Sequence, residues 1–206
     1  MKKLIASTIL SVAFVAANAS QLTVQSYEMP NGYTGSYYYW DKEYNGSGNT
    51  TQDGAYLSGG TGNLTDGVIA NDNWFNVENL QGTGPYVGWV NLDPVIIVHF
   101  GSVVNINEIK LFMDDSDGAG GVNLPGSVEI NGQDIPIGEL AGSEPKLLDF
   151  VGFAQGDSIT IQLHRKNAWV FMSEMQFFGD PVPEPATMSI LGLGALGLLR
   201  KRNKKA

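Results

Sequence analysis

The pattern of apolar and polar positions predicts strands through most of the chain. Residues 158–163 alternate strictly, and residues 103–111 alternate in part, as in a sheet that buries one face. Residues 46–62 are rich in Gly, Ser, Asn and Thr, which predicts a surface loop or a loose hairpin. Many short strands between turn residues indicate an all-β fold, a jelly-roll β-sandwich. The predicted strands are Gln21–Tyr27, Tyr37–Trp40, Pro94–Phe100, Ile106–Met113, Ser127–Ile130, Lys146–Phe150, Ser158–Leu163 and Ala168–Phe178.

The first 19 residues have the order of a secretory signal. Two lysines precede an apolar run over residues 4–15, and the triplet Ala-Asn-Ala at 17–19 is typical of a cleavage site. The alternative is a buried N-terminal helix, which the charged start and the small-residue exit disfavour. We therefore predict a signal peptide over residues 1–19, export through the Sec pathway and a mature chain that begins near Ser20.

The C-terminus carries a second apolar run between a proline-rich break and a basic end. Pro183, Glu184 and Pro185 precede apolar residues 188–199, and five of the last seven residues are Arg or Lys. The run is shorter than the roughly 20 residues of a full bilayer span, but flanking basic side chains can extend it. The alternatives are an ordinary membrane anchor and an amphipathic surface helix, and the run shows no polar face.

This C-terminal arrangement resembles the PEP-CTERM sorting domain of Gram-negative bacteria. The resemblance covers residues 181–206 and implies a short transmembrane sorting helix that holds the protein at the inner membrane. It also implies recognition by an exosortase, a membrane-embedded protease, and cleavage near Pro183, Glu184 and Pro185. The product would reach the cell surface or an extracellular polysaccharide matrix.

Composition limits what the region between the two ends can do. Residues 20–180 suit one domain with a single core, and the absence of cysteine excludes disulfides. Counted from Ser20 to Glu184, the chain keeps 21 acidic and five basic residues, a net charge of −16. Such a surface repels phosphate backbones, so we exclude a nucleic-acid partner.

The middle of the chain resembles discoidin-like domains, also called coagulation-factor type C or galactose-binding-like domains. Leu64-Thr65-Asp66-Gly67 followed by Trp74 is similar to the opening of that family, and the segment Ser173–Gly179 is similar to its final Glu-containing strand. The resemblance runs from Asn63 to Gly179, although the usual terminal cysteine pair is absent. It implies a β-sandwich with a ligand site in the loops, and it places Trp74 in the core.

The resemblance also implies a structural calcium ion, because sugar-binding members tie the Asp-Gly loop to the last strand through one. The matching positions are Asp66, Asp72 and Glu174. Calcium takes six to eight oxygen ligands, which carboxylates and carbonyls supply. The alternative is that Asp66 caps a turn and Glu174 faces solvent. The acidic segment 114–118 matches a calcium loop only in part, and we expect a solvated loop there.

A carbohydrate site needs an aromatic face for the apolar side of a sugar ring and polar groups at its rim. Trp40 and Trp169 are the leading candidate rings, and His164 and Arg165 are the candidate hydrogen-bonding groups. The further candidate rings are Tyr37, Tyr38, Tyr39 and Trp89.

These observations favour an exported, non-enzymatic surface or matrix protein that binds carbohydrate, such as the exopolysaccharide of the cell. The sequence holds no Cys nucleophile, zinc-protease motif, serine-hydrolase elbow or phosphate loop. No spacing selects a pair of carboxylates for glycoside hydrolysis. The alternative is a structural surface or biofilm matrix protein without a specific glycan ligand.

Overall fold

The computed structural model describes residues 20–79, 81–152 and 155–182, which form ten strands and one short helix, α1 (Trp74–Val77). Two turns of 3-10 helix lie at Asn63–Thr65 and Ala119–Gly121. No helix within these three ranges is long and apolar enough to cross a membrane. The strands are β1 (Ser20–Gln21), β2 (Ser26–Pro30), β3 (Tyr56–Gly60), β4 (Val87–Val90), β5 (Val95–Met113), β6 (Pro125–Ile130), β7 (Gln133–Pro136), β8 (Lys146–Val151), β9 (Gln155–Arg165) and β10 (Trp169–Pro181).

Strand β5 belongs to both layers of an antiparallel sandwich. In its first part Val98 lies opposite Tyr27 of β2 and Ile159 of β9. The register shifts after His99, where Gly101 has φ +75°, and the second part of β5 pairs with β10 and β8. The first layer has the order β3-β2-β5-β9-β6-β7. The second layer has β10 and β8 on either side of β5, and β1 and β4 on the outer edge of β10.

Alternation along the strands builds an interior between the layers. On β9, residues 159, 161 and 163 are buried and the residues between them are only partly buried. Trp89 of β4 is fully buried there, and its Nε1–H donates to the carbonyl of Pro30 at 3.0 Å. The hydroxyl of buried Tyr27 donates to Asp41, which also accepts a hydrogen bond from the Asn63 amide. The buried polar atoms at these positions therefore have hydrogen-bond partners within the protein.

The two ends of strand β10 lie at opposite ends of the sandwich. Near its C-terminal end Phe178 and Gly179 pair with β1, and the Val182 N–H donates to the carbonyl of Val103 at 3.1 Å. At its start Trp169 pairs with Val90 of β4. Thirteen residues at about 3.4 Å each make β10 about 40 Å long. Val182, which follows the end of β10, therefore lies far from Trp169.

The predicted β-sandwich is confirmed, while its finer description as a jelly roll and the domain boundaries stay predictions. The predicted strand Tyr37–Trp40 is wrong, because this segment is an irregular loop and not part of a ladder. Pro94–Phe100 and Ile106–Met113 are parts of the single strand β5. The sequence prediction missed β3, β4 and β7, which are short. The signal peptide at 1–19 and the sorting residues beyond Val182 lie outside the described residues.

Candidate functional site

An aromatic cavity of about 100 Å³ lies at the end of the sandwich where β10 begins. Trp169 and Phe171 share a face of β10, because side chains two residues apart in a strand point the same way. Tyr37 and Tyr39, also two residues apart, contribute from the loop before β3. The cavity is lined by Tyr37, Tyr39, Trp74, Gly120, Val122, Trp169 and Phe171.

The rings around the cavity hold one another in place by edge-to-face and stacked contacts. Tyr39 meets Phe171 edge-on with centroids 5.0 Å apart, and it meets Trp169 edge-on at 5.7 Å. Trp169 stacks on Phe171 at 5.3 Å, and Trp74 stacks on Phe171 at 6.0 Å. These are the arrangements that aromatic quadrupoles favour. Loop and strand residues therefore form one rigid aromatic wall.

Gly120 leaves room for the cavity. A Cβ atom at this position would lie 2.6 Å from Cζ2 of Trp74, and the residue has φ +63°, a conformation that glycine adopts freely. Any larger residue would fill the space beside the Trp74 ring.

Carboxylates lie directly behind the aromatic wall. Asp114 accepts hydrogen bonds from the Trp74 amide and the Ser116 hydroxyl, each at 2.5 Å, and burial raises its pKa to about 6. Glu78 accepts from the Tyr86 amide at 2.7 Å, and burial raises the pKa of Glu78 to about 7. Within the described residues, the buried Glu78 Oε2 and Trp74 Nε1 atoms have no hydrogen-bond partner.

The acidic segment 114–118 is therefore not the solvated loop that the sequence predicts. Asp114 is fully buried, and Asp115 and Ser116 are nearly so, because Asn73 and Trp74 cover them. The partial match of this segment to a calcium loop is not supported by the structure. Its carboxylates accept hydrogen bonds from neighbouring groups of the same segment.

The structure separates the two leading candidate rings. Trp169 lines the cavity, whereas Trp40 lies on the other side of its loop, where its ring centroid is 4.8 Å from that of Tyr38. The Trp40 Nε1–H donates to Asp53 at 2.7 Å, and the Lys42 ammonium lies 5.8 Å from the Trp40 ring. The candidate ring Trp89 is buried in the interior. Trp74, which the resemblance places in the core, is half-buried and lines the cavity.

The candidate polar groups His164 and Arg165 end β9 beside the loop that leads to Trp169. The Arg165 Nε–H donates to Asp93 at 2.8 Å, and its Nη1 donates to the carbonyl of Ala168 at 3.0 Å. His164 Nε2 lies 3.5 Å from a carboxylate oxygen of Glu129. Arg165 is thus adjacent to the cavity wall but engaged with an acidic partner.

The candidate calcium ligand Glu174 lies against the loop that holds Asp66. Asp66 itself is exposed and caps a turn, as in the alternative interpretation, since its carboxylate accepts a hydrogen bond from the Val68 amide at 2.8 Å. Glu174 of β10 is only 2% exposed, and its Oε2 accepts a hydrogen bond from the Gly67 amide at 3.2 Å. Desolvation, and then the charge of Asp66, raises the pKa of Glu174 to about 7. The buried hydroxyl of Thr65 has no partner among the described residues. These groups are oxygen donors, the kind of ligand that calcium takes.

Asp72 is held elsewhere in the same loop. Its carboxylate accepts from the Asn73 amide at 2.8 Å, and its carbonyl accepts from the Tyr86 hydroxyl at 3.0 Å. Over residues 20–79, 81–152 and 155–182, no three His, Cys, Asp or Glu side chains are grouped to hold a metal ion. A calcium ion at Asp66 and Glu174 would therefore need carbonyl, hydroxyl or water oxygens as its other ligands.

Two larger grooves lie near this loop and differ in character from the aromatic cavity. One, of about 340 Å³, is lined by Thr65, Glu174 and the chain after β1. The other, of about 480 Å³, is lined by Asp66, Val68 and neighbouring residues. Both lack an exposed aromatic ring in their lining, so neither offers a surface on which a sugar ring can stack.

Sequence reasoning missed Phe171, Gly120 and Glu78 at this site. The spacing Trp169-x-Phe171 in a predicted strand was the signal that could have placed both rings on one face. No local signal marked Gly120 or Glu78, because their roles depend on loops that meet only in the folded chain.

Several solved structures are similar in fold at low identity. A family 32 carbohydrate-binding module of Clostridium perfringens NanJ, in complex with galactose, is 13% identical, with 45% of this chain and 75% of that chain covered and a TM-score of 0.33. A fucolectin from striped bass (Morone saxatilis) serum is 18% identical, with 58% and 42% covered and a TM-score of 0.39. These values are too low to assign a ligand. No curated protein matches the sequence.

Two family models match the chain and confirm both resemblances. Residues 23–129 match the discoidin domain-containing receptor 1/2, DS-like domain, which begins earlier and ends earlier than the resemblance in the sequence. Residues 181–203 match the PEP-CTERM protein-sorting motif, which implies an exported, C-terminally processed surface protein and an exosortase as its partner. The chain belongs to the discoidin DS-like family and carries a PEP-CTERM sorting motif.

Proposed function

We propose that this protein is a non-enzymatic surface or extracellular-matrix protein that binds carbohydrate, with the exopolysaccharide of the cell as its ligand. The observation that carries the proposal is the aromatic cavity at the start of β10, which Trp169, Tyr39 and Trp74 line. Aromatic rings offer a flat apolar surface to the C–H face of a sugar, and a few polar groups nearby fix its orientation. Arg165 and Asn167 lie near Trp169, since the Arg165 guanidinium donates to the carbonyls of Asn167 and Ala168.

The size of the cavity defines how much sugar it takes. A cavity of about 150 Å³ holds a benzene ring, and this one measures about 100 Å³. It therefore accepts one substituent or one edge of a pyranose, while the rest of the glycan lies across the exposed rings of Tyr37 and Trp169. The affinity for one sugar would be modest, and a polymer would bind through repeated contacts.

The proposal includes calcium as a structural ion at Asp66, Thr65 and Glu174. Calcium would supply positive charge to a buried carboxylate that has no Lys or Arg ion pair among the described residues. Glu174 lies on β10, and Asp66 lies in the loop that leads to α1 and Trp74. Holding these two elements together would keep the loop, and with it Trp74, in its place against the cavity.

The route of export and sorting is part of the same proposal. The protein would leave through the Sec pathway of a Gram-negative bacterium and remain at the inner membrane until an exosortase cleaves near Pro183, Glu184 and Pro185. The aromatic cavity would then meet polysaccharide at the cell surface or in the extracellular matrix.

A matched pair of tryptophan variants tests carbohydrate binding. We would measure binding of residues 20–182 to a polysaccharide panel by isothermal titration calorimetry. Trp169→Ala removes a cavity wall and should weaken binding about tenfold or more, whereas Trp40→Ala removes a ring outside the cavity and should leave it unchanged. Saturable binding that both variants retain would place the site elsewhere. No binding by the unmodified domain would overturn the proposal and leave the structural matrix protein.

A further inference from the structure

The charges around the aromatic cavity are arranged for a positive ligand group. The groups that line it are uncharged. Two carboxylates lie close to its rings: that of Asp114, and that of Glu78, which accepts a hydrogen bond from the amide of Tyr86, whose ring meets Phe171 edge-on at 5.9 Å. Asp114 is bonded to the amide of Trp74. The charge of Glu78 reaches Tyr39, because burial and then Glu78 raise the pKa of Tyr39 to about 12. Near pH 7, where Asp114 is mostly ionised and Glu78 is partly ionised, the wall of rings therefore has negative charge at its back.

The nearby cationic side chains do not offset this charge inside the cavity. Lys42 lies outside it, over the rings of Tyr38 and Trp40 at 5.8 Å. Arg165 is engaged with Asp93 through a contact of 2.8 Å. A carboxylate on a ligand would meet no free cation in the lining, so the cavity disfavours uronic acids and other anionic sugars.

Aromatic walls and negative charge together favour a cation. The face of an aromatic ring attracts an ammonium group within about 6 Å, and the attraction increases when the ammonium is removed from water. Five rings line this cavity, and a volume of about 100 Å³ suits an ammonium substituent but not a whole pyranose. The net charge of −16 over the chain from Ser20 to Glu184 would also draw a cationic polymer to the domain at long range.

We propose that the cavity binds the protonated amino group of a hexosamine, so that the ligand is a glycan with free amino groups. This inference rests on the proposed function, because it names the class of sugar for the same cavity. N-acetylation of the amine removes its charge and its cation–π interaction and leaves the rest of the sugar backbone unchanged. The two forms of one oligosaccharide therefore report on the charge alone.

The test compares oligomers of β-1,4-linked glucosamine with N-acetylglucosamine oligomers of the same length. Titration calorimetry at about pH 7, where Asp114 is mostly ionised and Glu78 is about half ionised, and at physiological salt should show about tenfold tighter binding of the free-amine oligomer. Trp169→Ala should abolish this preference. Glu78→Gln should reduce it several-fold, because the variant neutralises a carboxylate behind the wall and keeps the shape of the side chain.

A matched control separates the cavity from the overall negative charge. Asp149→Asn likewise replaces a carboxylate by an amide, at an exposed position on β8 outside the cavity lining, and should leave the preference unchanged. An equal loss in Asp149→Asn and Glu78→Gln would overturn the inference and indicate nonspecific attraction. Binding of neutral sugars that Trp169→Ala weakens, without a preference for amines, would overturn the inference and keep the proposed function. If no oligomer or polysaccharide bound, both this inference and the proposed function would be wrong.

Discussion

The interior between the two layers and the aromatic cavity are built differently. The interior is mainly aliphatic and comes from alternating strand positions, and its buried Trp89 has a hydrogen-bond partner in Pro30. The cavity is made of rings from loops and from the start of β10, and Trp74 Nε1 and Glu78 Oε2 beside it have none in the described part of the chain. Because unpaired buried polar atoms are costly, we expect the interior to contribute more to stability than the cavity, which is the site that we propose for ligand binding.

The comparison predicts opposite consequences for two tryptophans on neighbouring strands. Trp89→Ala should lower the free energy of unfolding by about 3–5 kcal/mol, because it empties a fully buried site. Trp169→Ala should lower it by only about 1–2 kcal/mol, because the ring is partly exposed, while it weakens glycan binding about tenfold or more. Urea denaturation followed by far-UV circular dichroism measures both. Equal losses in the free energy of unfolding would show that the cavity rings stabilise the fold as much as the residues of the interior do.

Calcium binding tests the role of Glu174, which lies on the strand β10 that the interior and the cavity share. If the ion binds only the folded domain, calcium at about 100 times its dissociation constant should raise the free energy of unfolding by about 2.7 kcal/mol. Glu174→Gln should remove this gain, since the amide keeps the shape and loses the charge. Thermal unfolding with calcium or chelator measures the effect. Asp72→Asn is the control. An equal loss of the calcium effect in that variant would show that Asp72 is also a calcium ligand.

The raised pKa of Glu78, near the cavity, predicts that the stability of the protein depends on pH. Its folded-state pKa of about 7 lies above the ordinary value of 4.5, so folding favours the protonated form. The stability that this provides is complete below about pH 4.5 and is lost as pH rises through 7. Glu78→Gln should therefore gain about 1–3 kcal/mol relative to the unmodified protein between pH 4.5 and 8. Parallel stability curves from urea titrations would contradict this assignment.

The smallest expected change in stability is at Gly120. Gly120→Ala should cost about 1 kcal/mol or slightly more, because alanine is strained at φ +63°. The same variant should reduce glycan binding strongly, because its Cβ atom occupies the space beside the Trp74 ring. Gly132→Ala, at φ +83° with open space around its Cβ position, is a matched control for strain. Retained binding in Gly120→Ala would show that the cavity is not the site.

Local patterns were sufficient to predict the strands of the sandwich. The alternation at residues 158–163 indicated β9 correctly, and the apolar runs near Pro94 and Ile106 indicated β5, because burial on one face of a strand leaves a period of two. The pattern did not show that these runs form one strand that serves two layers. Continuity there depends on Gly101 and on a shift of partners, which are properties of the assembled sheet.

The site was predictable only where one strand supplied neighbouring rings. Trp169 was identified correctly as a ring of the candidate site, but Trp40 faces away from it because the two sides of the Tyr37–Trp40 loop separate in space. Asp114 was expected in solvent and is buried, since Asn73 and Trp74 come from 40 residues away to cover it. Contacts between distant loops leave no periodic trace in a sequence.

The course of strand β10 has a mechanical consequence. It begins at the cavity with Trp169 and ends at Pro181, the first residue of the matched sorting motif and two residues before Pro183. A polymer pulling at the cavity against a tethered C-terminus would stretch the domain along this one strand. The hydrogen bonds between β10 and β5 lie across that direction, so they would share the force in shear. Under the proposed function, β10 would carry tension between the bound glycan and the point at which the chain is attached.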